Sequence, residues 1–225
     1  MVLTYHARPS FHSSRRPFSF NYSSGYSSSC RSQSNSPAMK RAQSIAHPRY
    51  VLQQNLAKCA RDAEASNTHF PSKENLDEVE VILGYTFQNS QWLLRLALTH
   101  CSLYSNSAAS SLAWMGDAAL HMVVTEQLTA TYSTADVGDL TMARARLISR
   151  ETCTERAKAM QLHKYMKVGK SVLSNTGMSD AMIAEMFEAT LGAIYIDGGL
   201  ESVRAVYNHH FPLPESIRHV LKPPV

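Results

Sequence analysis

Between Met1 and Arg61 the chain has no Asp and no Glu, although it has nine Lys and Arg. That segment carries +9, and since the whole chain carries +4, residues 62–225 carry −5. A basic leading segment is therefore joined to a mildly acidic body. Cysteine is scarce as well. Cys30, Cys59, Cys101 and Cys153 stand far apart with no C-x-x-C pair, which argues against a zinc site or a disulfide framework and fits a reducing compartment. No run approaches the ~18 consecutive apolar residues of a membrane span, and the first residues lack the apolar stretch of a secretory signal. No membrane partner is expected.

What the first 37 residues do have is Ser, Arg, Tyr and Phe, as in "FHSSRRPFSFNYSSGYSSSCRSQSNSP". An Arg- and Ser-rich, acid-free start fits an organelle transit peptide, mitochondrial if the organism has no plastids. A disordered tail has the same composition. We divide the chain into a transit-like segment (1–38), a linker with room for a short helix (39–74), a folded domain (75–211) and a C-terminal tail (212–225).

Within the domain the apolar residues recur at helical spacing. "NLDEVEVILGYTF" places Leu76, Val79, Val81, Ile82 and Leu83 before a stop at Gly84, and "SQWLLRLALTH" repeats the pattern. A long apolar helix is expected from about Leu112 to Thr131. Asp139 is expected to cap "LTMARARLIS", Ser149 to cap "RETCTERAKAMQL" and Ser179 to cap "SDAMIAEMFEATLGAIYID", with Gly198-Gly199 ending the last. "KVGKSVLSNTG" reads as a loop, and "LESVRAVYNHHF" as a final helix. Nothing reads as a strand, so the fold class is all-α with about seven helices.

Two of these helices carry carboxylates with no cation nearby in sequence. Between Leu96 and Thr125, Asp117 is the only charged residue; between Ser171 and Val203 there is no Lys or Arg, yet Glu185 and Glu188 lie three residues apart on one side of a helix. Burying an unpaired carboxylate is costly. Either the two helices share a divalent-metal site, since Mg²⁺ is held by a few carboxylates and retained waters, or Asp117 caps a loop and the glutamates pair with Arg144, Arg146 or Arg150. Charge placement alone leaves both open. His121, on the apolar helix, is expected to be a satisfied core histidine.

The stretches "LGYTFQNSQWLLRLALTHCS", "LAWMGDAAL", "VGDLTMARARLISRETC", "LHKYMKVGKS" and "MIAEMFEATLGAIYIDGGLESV" follow one another in the order and at the separations of a ribonuclease III domain, which the region from Val81 to Phe211 resembles. The resemblance implies a helical endonuclease domain in which four carboxylates hold Mg²⁺ against a scissile phosphodiester, the metal activating water. Asp117 matches the aspartate of the first motif and Glu188 the glutamate of the second, and both are carried over as catalytic and metal-binding. Glu185 stands where aspartate is usual, a third metal ligand lengthened by a methylene. Ala113 occupies the place of the fourth carboxylate and cannot ligate. Ser110 and Ser111 replace acidic and basic residues. Trp114 replaces a phenylalanine that in the family helps join two domains, which implies a dimer interface.

A weakly bound Mg²⁺ is the implied cofactor. Loss of positioning by an ångström can cost about 10²-fold in rate, so impaired or absent catalysis is expected, with an active Mg²⁺-dependent double-strand-specific endoribonuclease as the alternative. RNA binding depends on distributed charge and survives such erosion. Residues 136–170 hold eight basic side chains against four acidic ones. Arg144, Arg146, Arg150, Lys167 and Lys170 are the RNA-binding candidates, although a solvated helix face would look similar. The partners expected are structured or double-stranded RNA and either a second copy or a ribosomal assembly. With the transit-like start and only 14 residues after Phe211, too few for a second domain, the chain is similar to fungal mitochondrial large-subunit ribosomal proteins of ribonuclease III fold.

Overall fold

The computed structural model describes residues 48–65, 70–88, 90–103, 108–175, 177–219 and 221; the transit-like segment 1–38 lies outside them. Nine α-helices occur among the described residues: α1 (Pro48–Ala65), α2 (Lys73–Leu83), α3 (Gln91–Ala97), α4 (Ala108–Thr131), α5 (Val137–Leu147), α6 (Arg150–Ala159), α7 (Lys170–Asn175), α8 (Asp180–Gly198) and α9 (Leu200–His210). The seven expected in the domain are joined by α1 in the segment read as a linker and by short α7 in the stretch read as a loop. Among the described residues there is no strand, and no helix is long and apolar enough to cross a membrane.

Local chemistry sets most of the helix ends. The Ser72 hydroxyl accepts from the Asn75 amide at 3.3 Å to start α2, Ser149 accepts from Thr152 at 3.2 Å to start α6, and Ser179 accepts from Met182 at 3.3 Å to start α8. Gly84 ends α2 in the left-handed conformation at φ 64°, where a side chain would be strained. The cap of α5 is Asp136 rather than Asp139: its carboxylate accepts from the Gly138 amide at 2.7 Å, which leaves Asp139 in the first turn, where its charge suits the helix dipole.

α4 and α8 form the centre because both are apolar on nearly every side. Leu112, Leu120, Val124 and Leu128 of α4 and Ile183, Phe187, Leu191 and Ile194 of α8 are buried in one core, and a fully buried side chain of this size contributes roughly 1.5–3 kcal/mol. Two glycines let the helices touch backbone to backbone. A Cβ on Gly116 would overlap the Glu188 carbonyl, and a Cβ on Gly192 would overlap the Leu112 carbonyl.

The remaining elements wrap this pair. α1 buries Leu56, Ala60 and Ala63 in the same core and is fastened to the start and middle of α3 by Gln53 Nε2 donating to Ser90 Oγ (2.9 Å) and by the Arg95–Glu64 ion pair (2.9 Å). The segment read as a linker with room for a short helix thus holds an 18-residue helix packed on the core. The stretch read as a tail also packs, through Ile217 and Leu221. Arg156 of α6 lies over the rings of Tyr207 (4.9 Å) and Phe211 (4.8 Å) and donates to the Leu147 carbonyl at 2.7 Å, tying α6 to α9. A parallel bridge joins Thr99 to Lys167: the Lys167 amide donates to the Leu98 carbonyl and the His100 amide to the Lys167 carbonyl, each at 2.8 Å.

Candidate functional site

Close packing at Gly116 brings the acids together. Asp117 follows Gly116 on α4, and Glu188, whose carbonyl faces Gly116, lies across on α8. Glu188 shows the effect: burial first, then the charges of Asp117 and Glu185, push its carboxyl up to about 7, against a smaller opposing pull from Arg150. Cys153 is buried beside the same acids. Burial, with the Glu188 charge behind it, pushes its thiol up to about 12, so it is inert as a nucleophile.

The other two acids have protein partners. The Ser110 hydroxyl donates to Glu185 Oε1 at 2.8 Å, and His121 Nε2 lies 3.6 Å from Asp117 Oδ1. His121 is therefore not a core histidine; its side chain is 45% exposed and Asp117 is 44% exposed, so both line the surface of α4. Ala113 is only 5% exposed, and the position of the missing carboxylate is packed into the core. The hollow beside Glu185, lined by His100, Cys101 and Met182 among others, encloses about 10 Å³, room for one water at most.

Mg²⁺ needs near-octahedral oxygen donors at about 2.0–2.1 Å and keeps several waters. Among the described residues no group of three or more His, Cys, Asp or Glu side chains is gathered so as to hold a metal ion. With Glu185 held by Ser110, Asp117 facing an imidazole and Ala113 buried, the donors do not fit that ion as arranged.

The basic candidates do not converge on one place. Arg144 points into a groove between α4 and α5 and donates to Thr125 Oγ1 at 3.0 Å, so it pairs with neither glutamate. Arg146 and Arg150 are exposed, and Arg150 is near enough to Glu188 to act on it. Lys167 is half-buried with its backbone in the bridge to Thr99, and Lys170 is exposed at the start of α7. Trp114 is 76% exposed on the same helix that turns Asp117, Ala118 and Met122 to the surface. Sequence reasoning missed Ser110 and the true position of His121. Both lie at helical spacing from Asp117, two turns before and one turn after it, which is the signal that could have found them.

Comparison with known proteins identifies the family. The family model described as Ribonuclease-III-like matches residues 90–213. Ribonuclease 3 of Rhodopirellula baltica is 35% identical over 145 residues, which is 64% of this chain and 54% of that protein. Ribonuclease 3 of Chlamydia felis is 39% identical over 140 residues, 59% of this chain and 58% of that protein. The chain thus spans little more than half the length of these relatives. A solved structure of the nuclease domain of ribonuclease III from Campylobacter jejuni, described for flexibility in the region involved in dimer formation, superposes with a TM-score of 0.57 at 28% identity, covering 63% of this chain and 100% of that one.

Proposed function

Since the chain belongs to the Ribonuclease-III-like family, we propose that it binds structured or double-stranded RNA, acts in mitochondria as a component of the large ribosomal subunit, and has impaired or lost catalysis. The observation that carries the catalytic part is the state of the acids: three carboxylates instead of four, with Ala113 buried in place of the fourth and Glu185 engaged by Ser110. Duplex RNA would be met by shape and phosphate contacts from Arg146, Arg150, Lys167 and Lys170. The basic, acid-free leading segment supports the mitochondrial assignment. Sedimentation of mitochondrial extract tests the ribosomal role. The protein should travel with the large subunit, and a pool wholly free of ribosomes would refute it.

One observation favours a second reading, a Mg²⁺-dependent double-strand-specific endoribonuclease. Burial first, and then the charges of Asp117 and Glu185, hold Glu188 near 7, and a divalent cation would relieve the part that comes from the crowded negative charge. Incubating the purified protein with duplex RNA and Mg²⁺, beside an Asp117→Ala control, decides the matter. Cleavage above the control would establish the enzyme.

A homodimer is part of the proposal. Trp114 and Thr125 are three turns apart on the same face of α4, about 16 Å along its axis. At the Thr125 end the α4–α5 groove encloses about 220 Å³ between Leu128, Val137 and Leu140. Met122 and Val137 are exposed apolar residues along this face. A two-fold axis between the two ends, near exposed Ala118, would seat each Trp114 in the partner's groove.

A further inference from the structure

A cleft outside the family-matched segment's acid site opens between α1 and α3. It encloses about 250 Å³ and is lined by Ala57, Ala60, Arg61, Glu64 and Trp92. Its walls are fixed at both ends by the Gln53–Ser90 hydrogen bond and the Glu64–Arg95 ion pair, so it is formed before any ligand arrives. Glu64, the acid on its rim, already answers Arg95. Arg61 is exposed, and among the described residues no hydrogen bond or ion pair engages it. The cleft therefore offers an indole, two alanine methyls and one uncommitted guanidinium.

The volume is below the roughly 300 Å³ at which pockets for drug-sized ligands begin, so the fit is to one planar ring system and not to a folded peptide or a whole nucleotide. Charge decides its chemistry. On the cleft's lining the two charged residues are Arg61 and Glu64, and with Glu64 held by Arg95 the cation left to face a ligand is Arg61, with exposed Lys58 and Tyr50 further along the same helix. An aromatic floor beside cations is the arrangement that binds single-stranded nucleic acid, the base stacking and the phosphate meeting a basic side chain. We propose that the α1–α3 cleft takes one unpaired nucleobase of an RNA strand, stacked on Trp92, with Arg61 on the adjoining phosphate. The inference rests on the RNA-binding function proposed above and adds to it a preference for a duplex that runs into a single strand.

The test uses the full chain and two labelled RNAs, a blunt duplex and the same duplex with a single-stranded overhang, with affinity read by fluorescence anisotropy at fixed salt. The wild type should bind the overhang RNA more tightly. Arg61→Gln and Trp92→Leu should each weaken that complex about tenfold, within the range for losing one stacked base, while leaving the blunt duplex unaffected. Trp92→Phe should retain most of the preference. Trp92 is half-buried against the core, so thermal melting accompanies each variant, and Arg61→Gln, on the surface, carries the test if Trp92→Leu unfolds. Equal binding of both RNAs, or equal weakening of both by Arg61→Gln, overturns the cleft proposal alone. Failure of the wild type to bind either RNA overturns the proposed function, and the cleft with it.

Discussion

Gly116 and Glu188 meet backbone against backbone, and the closeness of Asp117 to Glu188 depends on it. Gly116→Ala would push a methyl into the Glu188 carbonyl, where no side chain can yield. We expect a loss of about 3 kcal/mol, the upper part of the range for overpacked cores, seen as a fall of roughly 6–12 °C in Tm for a chain of this size. A variant melting like the wild type would mean that α4 and α8 can separate freely.

Ala113→Glu combined with Glu185→Asp restores the family's set of four acids on paper. Because Ala113 is buried and Glu185 is engaged by Ser110, the new glutamate should enter the core unpaired and lower stability by roughly 1–3 kcal/mol. Added Mg²⁺ should leave the Tm unchanged. Marked stabilisation by Mg²⁺ would show instead that the site is still shaped for metal.

Glu188 makes stability depend on pH. Its carboxyl rises from 4.5 when unfolded to about 7 when folded, so the folded state holds the proton more tightly. That contribution is fully present below pH 4.5 and is lost as pH rises through 7. Glu188→Gln stays neutral throughout. At pH 8 it should exceed the wild type in stability by about 1–2 kcal/mol, a figure discounted for partial exposure, and the gap should close by pH 4.5. Urea melts at the two pH values check this.

Several of these features could be read in the sequence. Ser149, Ser179 and Gly84 mark helix ends through contacts within three residues, and the apolar stripe Ile183, Phe187, Leu191, Ile194 states which side of α8 is buried. Asp117 and Glu188 were legible as a pair through motif resemblance. Other features depend on where distant segments meet. Asp136 and Asp139 compete for one cap, and only backbone geometry decides between them. The engagement of Glu185 by Ser110 spans 75 residues. Arg144 could equally have faced an acid or a threonine, and His121 lies on a helix whose apolar sequence hides an exposed edge.

Trp114→Ala should yield a folded monomer. With 76% of the residue exposed, truncation removes little from the core, and far-UV circular dichroism should be unchanged. Light scattering after gel filtration should report half the wild-type mass. A dimer persisting at micromolar concentration would place the interface elsewhere.

The exposed arginines should separate from half-buried Arg144 in salt titrations. Arg146→Ala should reduce the slope of log Kd against log salt by about 0.7–0.9, one phosphate contact. Arg144→Ala, which loses its bond to Thr125, should mainly lower Tm and leave that slope intact.

The two hydrogen bonds that fasten Lys167 to Leu98 and His100 bear on the cost of binding. A lysine on a loose loop must be ordered when it meets an anion, at about 1–2 kcal/mol for each backbone residue fixed. Here folding has already met that cost at Lys167. The side chain alone remains to be immobilised, so a phosphate arriving there faces a smaller entropic barrier than one captured by the same residue in an untethered basic tail.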